Sequence, residues 1–144
     1  MSGVGAGITP AGSDARGALG WAGVCGALLV GLGVAIGALG AHYLVGRIPV
    51  AREATLDTAV LYQFVTGLGL LLIAAFAHGG PTSDRSRRWL TWSARCLAAG
   101  ALLFSGSLYV LVAGGPGIMG AVAPLGGGAM IAGWCLLALA LARR

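Results

Sequence analysis

The feature that most constrains the fold of this chain is a set of long stretches without charge. No charged residue occurs from Gly17 to Gly46, from Thr58 to Ala77, or from Cys96 to Ala142. A transmembrane helix needs about 20 predominantly apolar residues to cross a hydrocarbon core of roughly 30 Å. The last stretch is long enough for two spans, and the cluster Gly114-Gly115-Pro116-Gly117 divides it with residues typical of a tight turn.

The sequence therefore predicts an all-α fold, an integral membrane four-helix bundle with spans at about 19–41, 58–77, 91–113 and 118–141. Only 9% of the residues are charged, against roughly 25% in an average soluble domain. The third span places Arg95 just inside the membrane, where an arginine near a helix end can extend its guanidinium to the headgroups. Trp89 and Trp92 beside it suit the aromatic belt of a membrane interface.

The predicted domain organisation is one transmembrane domain at 18–144, preceded by a tail at 1–17. The tail is mostly Gly, Ala, Ser and Thr without apolar periodicity, so we predict that it is disordered and cytoplasmic. Arg16 followed by an apolar run also resembles a signal peptide. The charge-free stretch exceeds the about 7–15 residues of a signal h-region, and we interpret it as a retained first span.

The positions of the arginines predict the orientation of the chain. Six flank the predicted cytoplasmic ends and two lie in the first loop, which predicts that both termini are cytoplasmic. Arginine without lysine, beside abundant Ala and Gly, indicates a bacterial protein, hence the inner membrane. Because the arginines lie at the ends of apolar stretches, the partner is the lipid bilayer and we expect no nucleic acid. The six are Arg16, Arg85, Arg87, Arg88, Arg143 and Arg144, and the two are Arg47 and Arg52.

Glycine is unusually frequent, with 27 residues, and small residues allow the close helix approach that holds helices together in lipid. Gly33 and Gly37 form a GxxxG pattern that Ala41 extends by one turn. Gly120 and Gly128, with Pro124 between them, form a similar row in the fourth span. These rows predict packing within the chain, or packing in a homo-oligomer or against a membrane-protein partner.

Four local patterns occur in a specific order. They are GALGAH at 37–42, TAVLYQ at 58–63, LFSGSLY at 103–109, and APLGG at 123–127 followed by Gly133-Trp134. In this order the chain resembles the domain-of-unknown-function 423 family of small bacterial membrane proteins, which are related to eukaryotic transmembrane protein 256. The resemblance covers about residues 19–141 and implies four spans but no activity. The family usually has a histidine where this chain has Thr66, so any role for that imidazole is in doubt here.

Polar residues within the spans concentrate near the predicted outer side, and we call this set the outer polar layer. A proline in a helix frees the carbonyl four residues earlier, so Pro124 predicts that Gly120 needs a replacement donor. Three interpretations remain open: a hydrogen-bonded clasp between helices, a site for a solute or ion, and a surface for a partner's helix. The layer comprises His42, Tyr62, Gln63, Thr66, Ser105, Ser107, Tyr109 and Pro124.

Several functions are disfavoured by the residues present. His42 and His78 end different spans on opposite sides, too far apart to share a haem, and we expect no cofactor. Cys25, Cys96 and Cys135 form no CxxC pair and predict neither a disulfide nor a metal site. No membrane-embedded carboxylate is present for proton coupling, and no nucleophile–base set indicates an enzyme.

These observations favour a structural or accessory component of a membrane complex. The alternative is a small-solute or ion transporter or channel formed by a homo-oligomer. The lack of a charged group within the spans favours the first hypothesis, because coupled transport usually depends on intramembrane ionisable residues.

Overall fold

The computed structural model describes residues 19–44, 46–79 and 83–143. Within them the chain is helical and contains no strand, and each of its four helices is long and apolar enough to cross a membrane. The predicted all-α architecture with four spans is therefore confirmed, while the tail at 1–17 lies outside the described residues. The helices are α1 (Gly20–Leu39, continued by a π-helical turn at Gly40–Leu44), α2 (Val50–His78), α3 (Asp84–Val112) and α4 (Met119–Ala142).

Two helices begin earlier than their apolar spans. Helix α2 starts at Val50 rather than near residue 58, and α3 starts at Asp84 rather than near residue 91. Charge ends the part of a helix that can lie in hydrocarbon, but backbone hydrogen bonds and caps decide where the helix itself begins. The hydroxyl of Ser83 accepts a hydrogen bond from the Ser86 backbone N–H at 3.2 Å and caps α3.

Glycine is required at the α1–α2 connection and at the α3–α4 connection. Gly46 between α1 and α2 has a φ of 73°, and Gly114 between α3 and α4 has a φ of 86°. Residues other than glycine rarely adopt this left-handed backbone conformation. The tight turn predicted from the Gly/Pro cluster at 114–117 is confirmed.

Consecutive helices pack side by side and antiparallel: α1 along α2, α2 along α3, and α3 along α4. Gly26 near the start of α1 faces Gly67 late in α2, and Gly40 faces Leu56 early in α2. The α1–α2 and α3–α4 connections thus share one end of the molecule, which we call the outer end. The α2–α3 connection lies at the inner end, which the arginine distribution predicts to be cytoplasmic.

The main apolar core lies toward the inner end, where side chains from all four helices meet. Its members are Leu19, Ala22, Leu70, Ile73, Leu90, Ala94, Leu97, Leu137 and Ala140.

The contact between α3 and α4 has a seven-residue repeat. Buried residues of α4 alternate at steps of three and four, and a matching row of α3 runs antiparallel to it. This spacing of 3.5 residues is the pattern of helices that pack side by side over many turns. The α4 row is Ala123, Gly126, Met130, Gly133, Leu137 and Ala140, and the α3 row is Ser86, Leu90, Ser93, Leu97, Gly100 and Ser107.

Candidate functional site

Gln63 is the centre of the outer polar layer and links three helices. It is only 4% exposed, yet both ends of its amide are used. Its Nε2 donates to the backbone carbonyl of Leu29 in α1 at 2.7 Å, and its Oε1 accepts from the Tyr109 hydroxyl of α3 at 2.6 Å. A carbonyl can only accept, so the amide nitrogen must face α1. One side chain of α2 thereby joins α1 to α3.

Ser105 and Thr66 also use their hydroxyls within the protein. Ser105 Oγ donates to the carbonyl of Ala59 in α2 at 2.9 Å. Thr66 Oγ1 donates to the carbonyl of Tyr62 at 2.6 Å and lies 3.8 Å from the Met130 sulfur of α4. Both hydroxyls are buried and satisfied, as buried polar groups must be in a low-dielectric interior.

The remaining polar residues of the layer lie outside this network. Tyr62 is 43% exposed, and its ring packs edge-on against Phe104 with centroids 4.9 Å apart. Ser107 is buried but donates to the Phe104 carbonyl of its own helix at 2.8 Å. His42 lies exposed in the π-helical turn. Four of the predicted residues thus contact another helix through a polar side-chain atom, and these three do not.

Pro124 does not contribute to the network. It is exposed on α4, and no side-chain hydrogen bond among the described residues ends on the Gly120 carbonyl. The prediction that the outer polar layer satisfies this carbonyl is therefore wrong. The reason is the register of α4: Ala123 and Gly126 face α3, and Pro124 is rotated off that face by about 100°.

The predicted packing glycines have mixed outcomes. An added Cβ at Gly33 would lie 3.2 Å from the Phe64 ring, and one at Gly37 would lie 3.5 Å from a Val60 methyl, so both contact α2. Ala41, in contrast, is exposed.

On α4 the predicted pair is wrong for packing within the chain. A Cβ at Gly128 would meet nothing within 4 Å, and one at Gly120 would reach only a Leu111 methyl at 4.0 Å. The glycine that packs is Gly126, whose Cβ would lie 2.8 Å from the Cα of Phe104. Residues 120, 124 and 128 share the face of Pro124, which explains why the whole row points outward.

Sequence reasoning also missed the closest approach between α1 and α2. A Cβ at Gly26 would lie 2.6 Å from the Gly67 carbonyl oxygen, and one at Gly67 would lie 3.0 Å from the Gly26 carbonyl oxygen. The signal that identifies Gly26 is its spacing of seven from Gly33, which in turn lies seven before Gly40.

The sequence suggested that interhelical hydrogen bonds lie in the outer half, but they also occur elsewhere. Ser86 Oγ donates to the Ala140 carbonyl and Ser93 Oγ to the Gly133 carbonyl, each at 2.8 Å. Both serines are buried, and both belong to the α3 row with seven-residue spacing. Polar contacts therefore extend along the α3–α4 pair toward the inner end.

A recess of about 150 Å³ opens at the outer end between α1 and α2. Glu53 at its edge accepts a hydrogen bond from the Gly46 backbone N–H at 2.7 Å, and the Asp57 carboxylate is exposed. No group of three or more His, Cys, Asp or Glu side chains that could hold a metal ion occurs in the part of the chain described. The recess is lined by Gly37, Gly40, Ala41, Leu44, Glu53, Leu56 and Asp57.

The cysteines carry free thiols. Cys25 and Cys96 are half-buried and Cys135 is exposed.

Comparisons with known proteins assign the chain to a family. Residues 36–127 match the family described as Protein of unknown function (DUF423). The UPF0382 membrane protein YwdK of Bacillus subtilis is 39% identical over 119 residues, which is 81% of this chain and 92% of the relative. The UPF0382 inner membrane protein YgdD of Escherichia coli K12 is 36% identical over 104 residues, 72% of this chain and 76% of the relative. No solved structure matches the chain.

The four sequence patterns fall on the helix contacts just described. Ala59 accepts from Ser105, Gln63 accepts from Tyr109, and Gly126 abuts the backbone of α3. The patterns therefore mark the residues that fix the positions of neighbouring helices. This chain is a four-helix membrane protein and belongs to the DUF423 family, whose named relatives are UPF0382 membrane proteins.

Proposed function

We propose that this protein is a structural or accessory component of a bacterial inner membrane complex, and not an enzyme. One observation carries the proposal: the hydroxyls and the amide at the centre of the outer polar layer are bonded to protein groups. Gln63 makes two such bonds, and Ser105 and Thr66 make one each. A clasp uses its polar groups in this way, whereas a solute site would present them to a cavity. Charged side chains are also absent from the buried set of the described residues.

An exposed apolar face on α1 supports an accessory role. Of the twenty residues of α1, only Ala22, Gly26 and Gly33 are buried. The opposite face carries Val24 and Leu28, which are 64% and 60% exposed, and a further leucine one turn on. This face is available to a helix of another membrane protein.

Purification in mild detergent tests the proposal. We expect another protein to co-purify in a fixed ratio, read by native mass spectrometry. A photo-crosslinking residue at Leu28 should capture the same protein, while one at Leu102, which is 72% exposed on α3, should not. A protein that purifies alone, with equal crosslinking at both positions, contradicts the accessory role.

One relative supports the inner membrane location, and the arginine distribution supports the orientation. The E. coli relative is named an inner membrane protein, and the arginine distribution predicts cytoplasmic termini. Reporter fusions after Arg144 and within residues 83–87 should report cytoplasm, and a fusion near Arg47 should report the outside. An outside report for the C-terminus would overturn this orientation.

The second candidate is a transporter or channel formed by a homo-oligomer, which the acidic recess at the outer end favours. Cysteine accessibility separates it from the clasp, in a chain whose native Cys25, Cys96 and Cys135 are replaced by alanine. With a membrane-impermeant thiol reagent added from the outer side, a clasp predicts labelling of Asp57→Cys and protection of Ser105→Cys. Rapid labelling at both positions would favour transport. Uptake assays in proteoliposomes would then identify the solute.

A further inference from the structure

One exposed face of α3 near the inner end combines cations with an aromatic ring. Arg85, Arg88, Trp92 and Arg95 follow each other at steps of three, four and three residues, so they lie on the same face of the helix. All four are exposed. We call these residues the arginine face.

The arginines of this face have no acidic partner among the described residues. The acidic side chain nearby, Asp84, pairs instead with Arg87 at 3.0 Å. Arg87 lies off the arginine face, so the one ion pair of this region leaves the guanidiniums of Arg85, Arg88 and Arg95 available to an external anion.

The Arg95 side chain is directed toward the inner end of α3. Its guanidinium lies over the Trp92 ring, 5.2 Å from the ring centroid. Trp92 lies one turn closer to the start of α3, which is the inner end of the helix. An arginine at the edge of the membrane is stabilised when its apolar stem stays in the lipid and its charge reaches the interface. The ring supports that orientation by a cation–π contact.

The depth of the face matches a layer of lipid headgroups. The charge-free part of α3, from Cys96 to Val112, spans about 25 Å at about 1.5 Å per residue, close to the roughly 30 Å of the hydrocarbon core. Arg88 lies about 10 Å from Arg95 along the axis, toward the inner end. The Arg95 guanidinium is directed toward Arg88, and the exposed Arg88 side chain has no ion pair among the described residues that would hold it away from Arg95. Both guanidiniums can therefore reach one phosphate.

We propose that the arginine face binds the headgroup of an anionic phospholipid, with Arg88 and Arg95 on its phosphate and Trp92 beside its glycerol. Guanidinium is suited to this role because its planar set of N–H donors matches phosphate oxygens in pairs. Charge complementarity selects an anionic lipid, since the cationic group of phosphatidylcholine would meet three unpaired arginines. The proposal is independent of the accessory role.

Native mass spectrometry of the full chain in mild detergent, titrated with phosphatidylglycerol or phosphatidylcholine, tests the proposal. We expect wild-type protein to retain phosphatidylglycerol in preference. The double variant Arg88→Gln/Arg95→Gln should bind it about 25-fold more weakly, at roughly fivefold per arginine. The matched control is Arg47→Gln/Arg52→Gln, which removes two exposed arginines at the outer end and should change binding by less than about twofold because those charges lie far from the arginine face.

Three outcomes would overturn the proposal. Equal losses in Arg88→Gln/Arg95→Gln and in Arg47→Gln/Arg52→Gln would mean that diffuse charge attracts the lipid. Displacement of the lipid by millimolar glycerol phosphate would mean a site for a soluble anion. If Arg88→Gln/Arg95→Gln unfolds, the variant Arg88→Lys/Arg95→Lys is tested instead, because it retains the positive charge and removes the paired N–H donors of guanidinium. Wild-type affinity in that lysine variant would exclude guanidinium recognition, and weaker binding with an unchanged melting temperature would support it.

Discussion

The α1–α2 pair and the α3–α4 pair are both antiparallel and rich in glycine, but they are held together differently. In α3–α4, Ser86 and Ser93 bond across to the backbone of α4, and Gly126 lies against the backbone of α3. Helix α1 is joined to the rest by one side-chain hydrogen bond among the described residues, from Gln63 to the Leu29 carbonyl.

The difference shows which helices are held most firmly in place. Lipid provides no hydrophobic force between helices, so their association depends on close packing and hydrogen bonds. Helix α4 has six buried residues, whereas α1 has three. We therefore interpret α3–α4 as the fixed unit and α1 as the helix most able to shift or to accept a partner.

The largest effect on stability should come from a methyl group added between α3 and α4. Gly126→Ala would place its Cβ against the Phe104 backbone nitrogen, which cannot rotate away as a side chain can. We expect a loss of about 1–3 kcal/mol in the free energy of unfolding, measured by denaturant titration in micelles. Gly128→Ala is the matched control, because nothing lies within 4 Å, and it should be neutral or slightly stabilising. Equal effects would show that the α3–α4 seam is not tightly packed.

The next effect should come from the serines of the same seam. Ser86→Ala/Ser93→Ala removes two interhelical hydrogen bonds and should cost ~1.2 kcal/mol, at ~0.6 kcal/mol for each bond. The two sites are far enough apart for their effects to add. Thr91→Val is the control, because that hydroxyl donates only to the Arg87 carbonyl of its own helix. If Thr91→Val lowered the free energy of unfolding as much as the double variant, the interhelical bonds of Ser86 and Ser93 would not stabilise the α3–α4 contact.

A smaller effect is expected where α1 meets α2. Gly26→Ala would bring its Cβ within 2.6 Å of the Gly67 carbonyl oxygen, but α1 has few other contacts and can move away. We expect a loss below about 1 kcal/mol, with Gly31→Ala, which has open space, as the control. A loss larger than that of Gly126→Ala would reverse the comparison between the two pairs.

The smallest effect concerns the link between the pairs. Tyr109→Phe removes the donor to Gln63 and should cost ~0.6 kcal/mol. Gln63→Leu combined with Tyr109→Phe should be non-additive, because the two side chains are bonded to each other. Additive losses in a double-mutant cycle would show that this bond does not couple α2 to α3.

The spans and the α3–α4 turn could be predicted because hydropathy, charge and the Gly/Pro cluster are properties of contiguous sequence. Helix starts could not, since charged turns continue as helix beyond the apolar span. The polar residues were found, but the partners of Gln63 depend on which helices are neighbours and on their register. Helix neighbours and register cannot be predicted from one segment of sequence, because they depend on how distant segments pack.

Gly26, the glycine of α1 that lies closest to α2, was missed although the sequence contains its signal. A spacing of four drew attention to Gly33 and Gly37, whereas a spacing of seven identifies Gly26, Gly33 and Gly40 on α1. The same spacing identifies the serines of α3.

The unequal helix lengths determine how deeply the protein sits in a bilayer. Helices α2 and α3 have 29 residues each, about 44 Å at about 1.5 Å per residue, and so exceed a roughly 30 Å hydrocarbon core. Their surplus charged turns project in opposite directions, Arg52 to Asp57 at the outer end and Asp84 to Arg88 at the inner end. Sliding the molecule either way would draw charge into the hydrocarbon, at roughly 3 kcal/mol for each arginine or aspartate that reaches the centre. The protein is thus held at a fixed height, and where a membrane is too thin or too thick, the lipid must deform around it.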